Sequence, residues 1–271
     1  MGFWRAYSIE IGTTLHWRIG LLDLWVERAG DEWRVASVVG SAGRDAPVRP
    51  DEKMHEAPVI AAEGVPRPPD VPWRRVLARA GDGRIEFSPV MPDRPLVVCP
   101  EEPLVIPPGG AGTFYVGIPV RVRIRTLAAP HVTVAEVPTV VMSSTWFGAP
   151  TAGALCYSLP TRARRSLAEG LALAHRAVCP VRVVNASPED LRFRRLCLHV
   201  DALAVFDGRA QLSTGDVEVT FHAEDQSTRV TYSPGPSTVE GAGARLSEPR
   251  RARSESVLAR GLTTLRSMTG L

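Results

Sequence analysis

Apolar and polar positions alternate with a period of two through most of the chain. Tyr7, Ile9 and Ile11 are separated by Ser8 and Glu10, and Trp17, Ile19 and Leu21 alternate with His16 and Arg18. This spacing puts apolar side chains on one face of an extended strand and predicts half-buried β-structure. Leu22, Leu24 and Val26 shift the apolar phase by one position, which predicts a bulge or a strand buried on both faces. Gly30-Asp31, between WVERA and EWRVASV, predicts a tight hairpin, because glycine reaches positive φ at little cost. The same alternation marks strands at residues 84–87, 96–98, 103–106, 113–117 and 132–141, and it interleaves Val120, Val122 and Ile124 with Arg121, Arg123 and Arg125. In the second half it marks residues 155–159, 177–184, 191–205, 217–221 and 229–232. Residues 161–175 fit either a short helix, weakened by Gly170, or an extension of a hairpin.

Two segments lack the alternation. Residues 40–72 carry Pro47, Pro50, Pro58, Pro66, Pro68, Pro69 and Pro72. Proline cannot donate to a strand ladder, so this is an irregular excursion, either a covering loop or a partly disordered one. Residues 233–253 are rich in Gly, Pro, Ser and Arg and read as a linker. Beyond them Ser254 can cap a helix to Met268, with Leu258, Leu262 and Leu265 on one face and Arg253, Arg260 and Arg266 giving it basic character. Such a helix either packs on a sheet edge or docks on a partner or an anionic membrane surface. The expected fold is therefore mainly β. Two antiparallel β-sandwich-like domains carry few helices and a C-terminal helix. The expected domains are an N-terminal β domain (1–150) holding the Pro-rich loop, a second β domain (151–235), and a linker with the C-terminal amphipathic helix (236–271).

Composition narrows the class further. Of 271 residues 44% are hydrophobic, enough for a sizeable core, and the net charge of +3 is too small for a dedicated nucleic-acid binder. Lys53 is the single lysine; every other basic side chain is arginine, which reflects coding bias or selection for bidentate anion capture. The N-terminal MGFWRAYSIEI has no apolar leader core, Ala6 fails the myristoylation pattern, and no apolar run is long enough to span a bilayer. A cytoplasmic location is expected, with Cys99, Cys156, Cys179 and Cys197 reduced and the Asn185-Ala186-Ser187 sequon silent.

No nucleophile elbow, P-loop or dinucleotide fingerprint is present, and Pro107-Pro108-Gly109-Gly110 reads as a turn, so no cofactor is expected. His16, His55, His131, His175, His199 and His222 are scattered without metal-ligand spacing, and no metal is expected, although His199, Asp201 and His222 fall on strands that could converge. Acid pairs such as Glu101-Glu102, or Asp201 with Asp207, serve acid–base chemistry only if buried together. Arg121, Arg123 and Arg125 share one strand face at roughly 7 Å intervals, which suits a polyanion, a phosphate or an acidic partner, and equally a solvated outer face. Arg162, Arg164 and Arg165 form a second basic cluster that strengthens the anion reading if the two lie together. Trp146 and Phe147, with Tyr157 nearby in sequence, suit stacking on a flat ligand or packing as an aromatic staple.

The stretches STWFGAPTAGALCYSL (144–159) and AVCPVRVVNASPEDLRFRRLCLHVDALAVF (177–206), with the overall length, give the chain its kinship. It resembles the archaeal and bacterial family catalogued as domain of unknown function 432. The resemblance implies no activity or cofactor, and a neighbourhood of genes for small mechanosensitive channels. Three function classes follow. The first is a non-catalytic binding or scaffolding protein acting on an anion or a protein partner. The second is a hydrolase or carbohydrate-active enzyme with an inter-domain site near Trp146 and Tyr157. The third is a soluble regulatory partner of a membrane channel.

Overall fold

The computed structural model describes residues 3–40, 62–63, 65–78, 81–151, 153–159, 162–167, 173–208, 211–222, 228–238, 243–251 and 257–258. Among them the protein is mainly β, and no helix is long and apolar enough to cross a membrane. The chain forms two compact units, each gathered from separate stretches. The first comprises Met1–Val90, Pro119–Val141 and Leu173–His175; the second comprises Met91–Ile118, Met142–Ala172 and Arg176–Leu271. Residue 150 lies inside the second unit, within the stretch Met142–Ala172.

The first unit holds two antiparallel sheets. One contains β1 (Ala6–Ser8), β7 (Arg84–Val90), β11 (Arg121–Thr126) and β12 (Thr133–Pro138), in the order β1-β7-β11-β12. The other contains β2 (Thr14–Ile19), β3 (Leu22–Ala29), β4 (Glu32–Val39), β5 (Ala62–Glu63) and β6 (Arg74–Leu77), in the order β5-β2-β3-β4-β6. The phase shift at Leu22 is a chain reversal. Ile19 pairs with Leu22, Trp17 with Leu24 and Leu15 with Val26, so the turn at Gly20-Leu21 returns both apolar sets to one face. Gly20 sits at φ 57°, and a Cβ there would lie 2.6 Å from His175 Nδ1, so both conformation and space require glycine. Trp25 is nevertheless buried on the opposite face, where its indole donates to Val65 O at 3.2 Å. The described end of the Pro-rich excursion thus covers the outer side of this sheet, and β5 pairs with β2.

Trp17, Ile19, Leu22, Leu24, Trp33 and Val35 from one sheet share a core with Ile85, Phe87, Val122, Ile124 and Val134 from the other. Trp17 and Phe87 meet edge-on with centroids 4.8 Å apart. Each such side chain contributes roughly 1.5–3 kcal/mol on burial, which makes this cluster the main stabilising element of the unit.

The second unit contains β8 (Leu96–Val98), β9 (Leu104–Ile106), β10 (Ala111–Pro119), β13 (Ser144–Phe147), β14 (Ala154–Ser158), β15 (Arg176–Asn185), β16 (Leu191–Phe193) and β17 (Leu196–Leu198). It continues with β18 (Val205–Asp207), β19 (Leu212–Ser213), β20 (Val217–Phe221), β21 (Thr228–Tyr232), β22 (Arg245–Ser247) and β23 (Val257–Leu258). One 3-10 turn, Val200–Ala202, interrupts the strand expected over 191–205. Of the ambiguous segment, Ala163 and Arg164 are bridged to Pro100 and Tyr115 and are not helical.

Not every pairing is antiparallel as expected. β15 runs parallel to β19 and β20, and β14 runs parallel to β8. Ala177 through Val181 are all buried, the two-faced burial that parallel strands require. β10 runs along the whole of one flank of β15, from Asn185 N donating to Gly110 O to Val120 N donating to His175 O. Both β19 and β20 therefore share the other flank, end to end. Residues 212–221 make one strand interrupted at Thr214-Gly215-Asp216, where the register to β15 slips by one residue.

The expected C-terminal helix is corrected where the structure describes it. Val257 and Leu258 form β23, an edge strand paired antiparallel to Val230 and Arg229 of β21, and the remainder of residues 254–268 lies outside the described residues. The backbone groups on the open side of β21 offered hydrogen bonds that outweighed the helical spacing of the leucines.

Candidate functional site

The arginine row lies on the outer face of the β7-β11-β12 sheet, and every member holds a carboxylate. Arg123 is directly opposite Glu136, and Arg125 directly opposite Glu86. Arg121 Nε lies 2.8 Å from Glu136 Oε1, Arg123 Nη2 3.2 Å from Glu136 Oε2, and Arg125 Nη2 2.8 Å from Glu86 Oε2. An anion would have to compete with these cross-strand pairs, and the three guanidiniums and two carboxylates leave a single net positive charge.

The second basic cluster belongs to the other unit. Arg164 exchanges backbone hydrogen bonds with Tyr115, and its Nε is 3.9 Å from Glu101. Arg165 donates to Thr113 O at 2.8 Å and lies over the Phe114 ring, while Arg162 is exposed. Two of these three side chains are used to tie the 162–167 segment to its neighbours.

The aromatic group comes together on the sheet ordered β13-β14-β8-β17. Trp146 pairs with Leu155 and Ser144 with Tyr157, and residues directly opposite share a face, so all four point the same way. Trp146 is 49% exposed and Leu155 46%, an unusual adjacency for two large apolar side chains. The indole donates to Ala149 O at 3.1 Å and lies against Gly153, where a Cβ would sit 2.4 Å from Nε1. Tyr157 donates to Asp93 Oδ1 at 3.1 Å, and Arg94 lies over its ring with Nη1 3.5 Å from Ser144 Oγ. Phe147 alternates to the other face, where it is buried with Cys156 and Cys197.

Cys156 Sγ and Cys197 Sγ are 3.6 Å apart, yet β8 lies between their strands. Both cysteines are free thiols. Burial raises both thiols above the usual range and pushes Cys179 up to about 12, so none is a thiolate nucleophile at neutral pH.

Sequence spacing had no means of finding Arg251 as the partner of Asp201. Asp201 is 1% exposed, Arg251 Nε stands 2.8 Å from its Oδ2, and the Asp201 carbonyl accepts the amides of Arg250 and Arg251. His199 Nδ1 is 3.8 Å from Oδ1; burial lowers its pKa, and the Asp201 charge only partly opposes that shift. A second arrangement also escaped the sequence. A cleft of about 450 Å³ is lined by Pro180, Arg182, Asp216, Glu218, Thr231 and Thr238 among others. Arg182 pairs with Glu218 at 2.8 Å, and Asp216 accepts from Ser237 and Thr238, so its charges are spent on the fold. Among the described residues no three His, Cys, Asp or Glu side chains are arranged to hold a metal ion.

These features define a mainly-β protein in which two half-exposed large apolar side chains are paired on a sheet face beside a strand edge. The chain belongs to the family described as "Protein of unknown function (DUF432)", whose model matches residues 3–266. No curated protein and no solved structure matches it.

Proposed function

We propose that the protein is a non-catalytic binding or scaffolding module that engages a protein partner through the Trp146–Leu155–Tyr157 face. The observation that carries this reading is the direct pairing of two half-exposed large apolar side chains on one open sheet face. Water is a poor neighbour for such a pair, at about 25 cal/mol per Å² of apolar area, and a partner that covers it recovers that free energy. The arginine row supports anion capture less well, because Glu136 and Glu86 already occupy it. The hydrolase alternative needs converging acid–base groups. Near the aromatics stands Asp93, which takes the Tyr157 hydrogen bond. The cysteines, free among the described residues, fit a reducing compartment. A sandwich-like packing of the first unit's two sheets is supported by their shared core.

The test is site-specific photo-cross-linking in the full chain, with p-benzoylphenylalanine replacing Leu155 and, separately, Arg123. A discrete adduct from position 155 that is lost with Trp146→Asp, while position 123 gives none, is the expected outcome. Adducts from 123 alone, or turnover of chromogenic ester or glycoside substrates that is lost with Asp93→Asn, would overturn the reading.

A further inference from the structure

Resting on that reading, we infer that the partner binds as an added β-strand along the open edge of β13, antiparallel to it. The added strand places an apolar side chain beside Trp146 and, two residues later, a carboxylate beside Ser144 and Arg94.

The hydrogen-bond phase of β13 sets this geometry. Ser158 N donates to Ser143 O, so residues 143 and 158 form a hydrogen-bonded pair. In an antiparallel ladder such pairs recur every second residue, which turns the backbone groups of Thr145 and Phe147 toward β14. The N–H and C=O of Ser144 and Trp146 then point to the opposite side. Tyr157 confirms the phase on β14, because its N–H turns away from β13 to donate to Pro95 O. β13 is terminal in its sheet, and no described residue hydrogen-bonds to the backbone of Ser144 or Trp146. Two donors and two acceptors therefore stand at the spacing that strand addition uses.

Side-chain chemistry sets the sequence of the added strand. Residues opposite Ser144 and Trp146 share the Trp146 face. Trp146 and Leu155 offer apolar surface at one position. At the other, Arg94 has no carboxylate within ion-pair distance among the described residues; its contacts are Ser144 Oγ and the Tyr157 ring. The neighbouring Asp93 is engaged by the Tyr157 hydroxyl. An antiparallel strand passes Trp146 first and Ser144 second, so its pattern from N to C is apolar, any residue, acidic.

The probe is the labelled peptide acetyl-Thr-Leu-Thr-Glu-Val-Thr-amide, titrated against the full chain by fluorescence anisotropy. Saturable binding is expected. Ser144→Pro removes an edge-facing N–H without touching a β13–β14 bond and is expected to abolish it. Arg94→Glu is expected to weaken binding about tenfold, and a peptide with Lys in place of Glu restores it on that variant. Absence of saturable binding to the wild-type chain, or equal binding by Ser144→Pro with an unchanged circular dichroism spectrum, overturns strand addition. A cross-link from position 155 that survives Ser144→Pro would leave the binding face standing and remove only this mode of using it.

Discussion

Asn185 shows how one side chain can fix a turn. It is fully buried, donates to Ile106 O at 2.8 Å and Glu189 O at 2.7 Å, and accepts from Ser187 N and Oγ. Every hydrogen-bonding group of the amide is used, so the sequon that the sequence displays is a structural turn with no amide free for a glycan. Asn185→Ala should lower unfolding free energy by about 2–4 kcal/mol, read by urea denaturation, because several buried partners lose their bonds at once. Arg251→Ala should cost ~1–3 kcal/mol by leaving the buried Asp201 carboxylate without its cation. His199 carries a pH dependence with a definite sign. Its folded pKa lies below the unfolded value of about 6.5, so between the two the unfolded chain binds more protons. Stability contributed by neutral His199 is present above pH 6.5 and falls as pH drops through the folded pKa. His199→Gln should flatten the fall in melting temperature between pH 7 and pH 5.

At the scale of elements, the C-terminal strand illustrates what pairing adds. β23 gives β21 its outer neighbour, and Arg250 Nε donates to Met91 O at 2.6 Å just upstream. Truncation after Glu248 should speed amide exchange at Val230 while leaving Val122 unchanged, which hydrogen–deuterium exchange can measure. The alternation of side chains made β2, β3, β4, β7, β11 and β20 legible, because each turns a regular apolar set to the core. Residues 257–258 misled because leucine spacing records a face and not the backbone partner that claims it. The parallel pairings were hidden for a related reason: Ala177 through Val181 are buried on both sides and leave no period to read. Of the candidate site, the aromatics were visible as residue types. Their division between faces, Trp146 outward and Phe147 inward, follows from the β13–β14 register. The acidic partners of the arginines, fifteen residues away for Arg121 and thirty-nine for Arg125, depend on strand order that local pattern does not encode.

For the whole molecule, the interleaving of the two units decides what can be divided. A polypeptide of residues 119–271 lacks β8, β9 and β10, and with β10 the entire flank of β15. It should give a collapsed nuclear magnetic resonance amide spectrum, whereas the full chain gives a dispersed one. Within the first unit Trp17 stands at the centre of the shared core, and Trp17→Ala should remove about 3–5 kcal/mol from the unfolding free energy.

The register of Leu96 on Leu198 carries a consequence for biosynthesis. A ribosome adding about 5–20 residues per second makes the earlier of these two positions wait roughly 5–20 s for the later one. For part of that interval Phe114, Val116 and Ile118 have been made and β15 has not. A holdase bound to stalled nascent chains should therefore dissociate only once translation has passed β17.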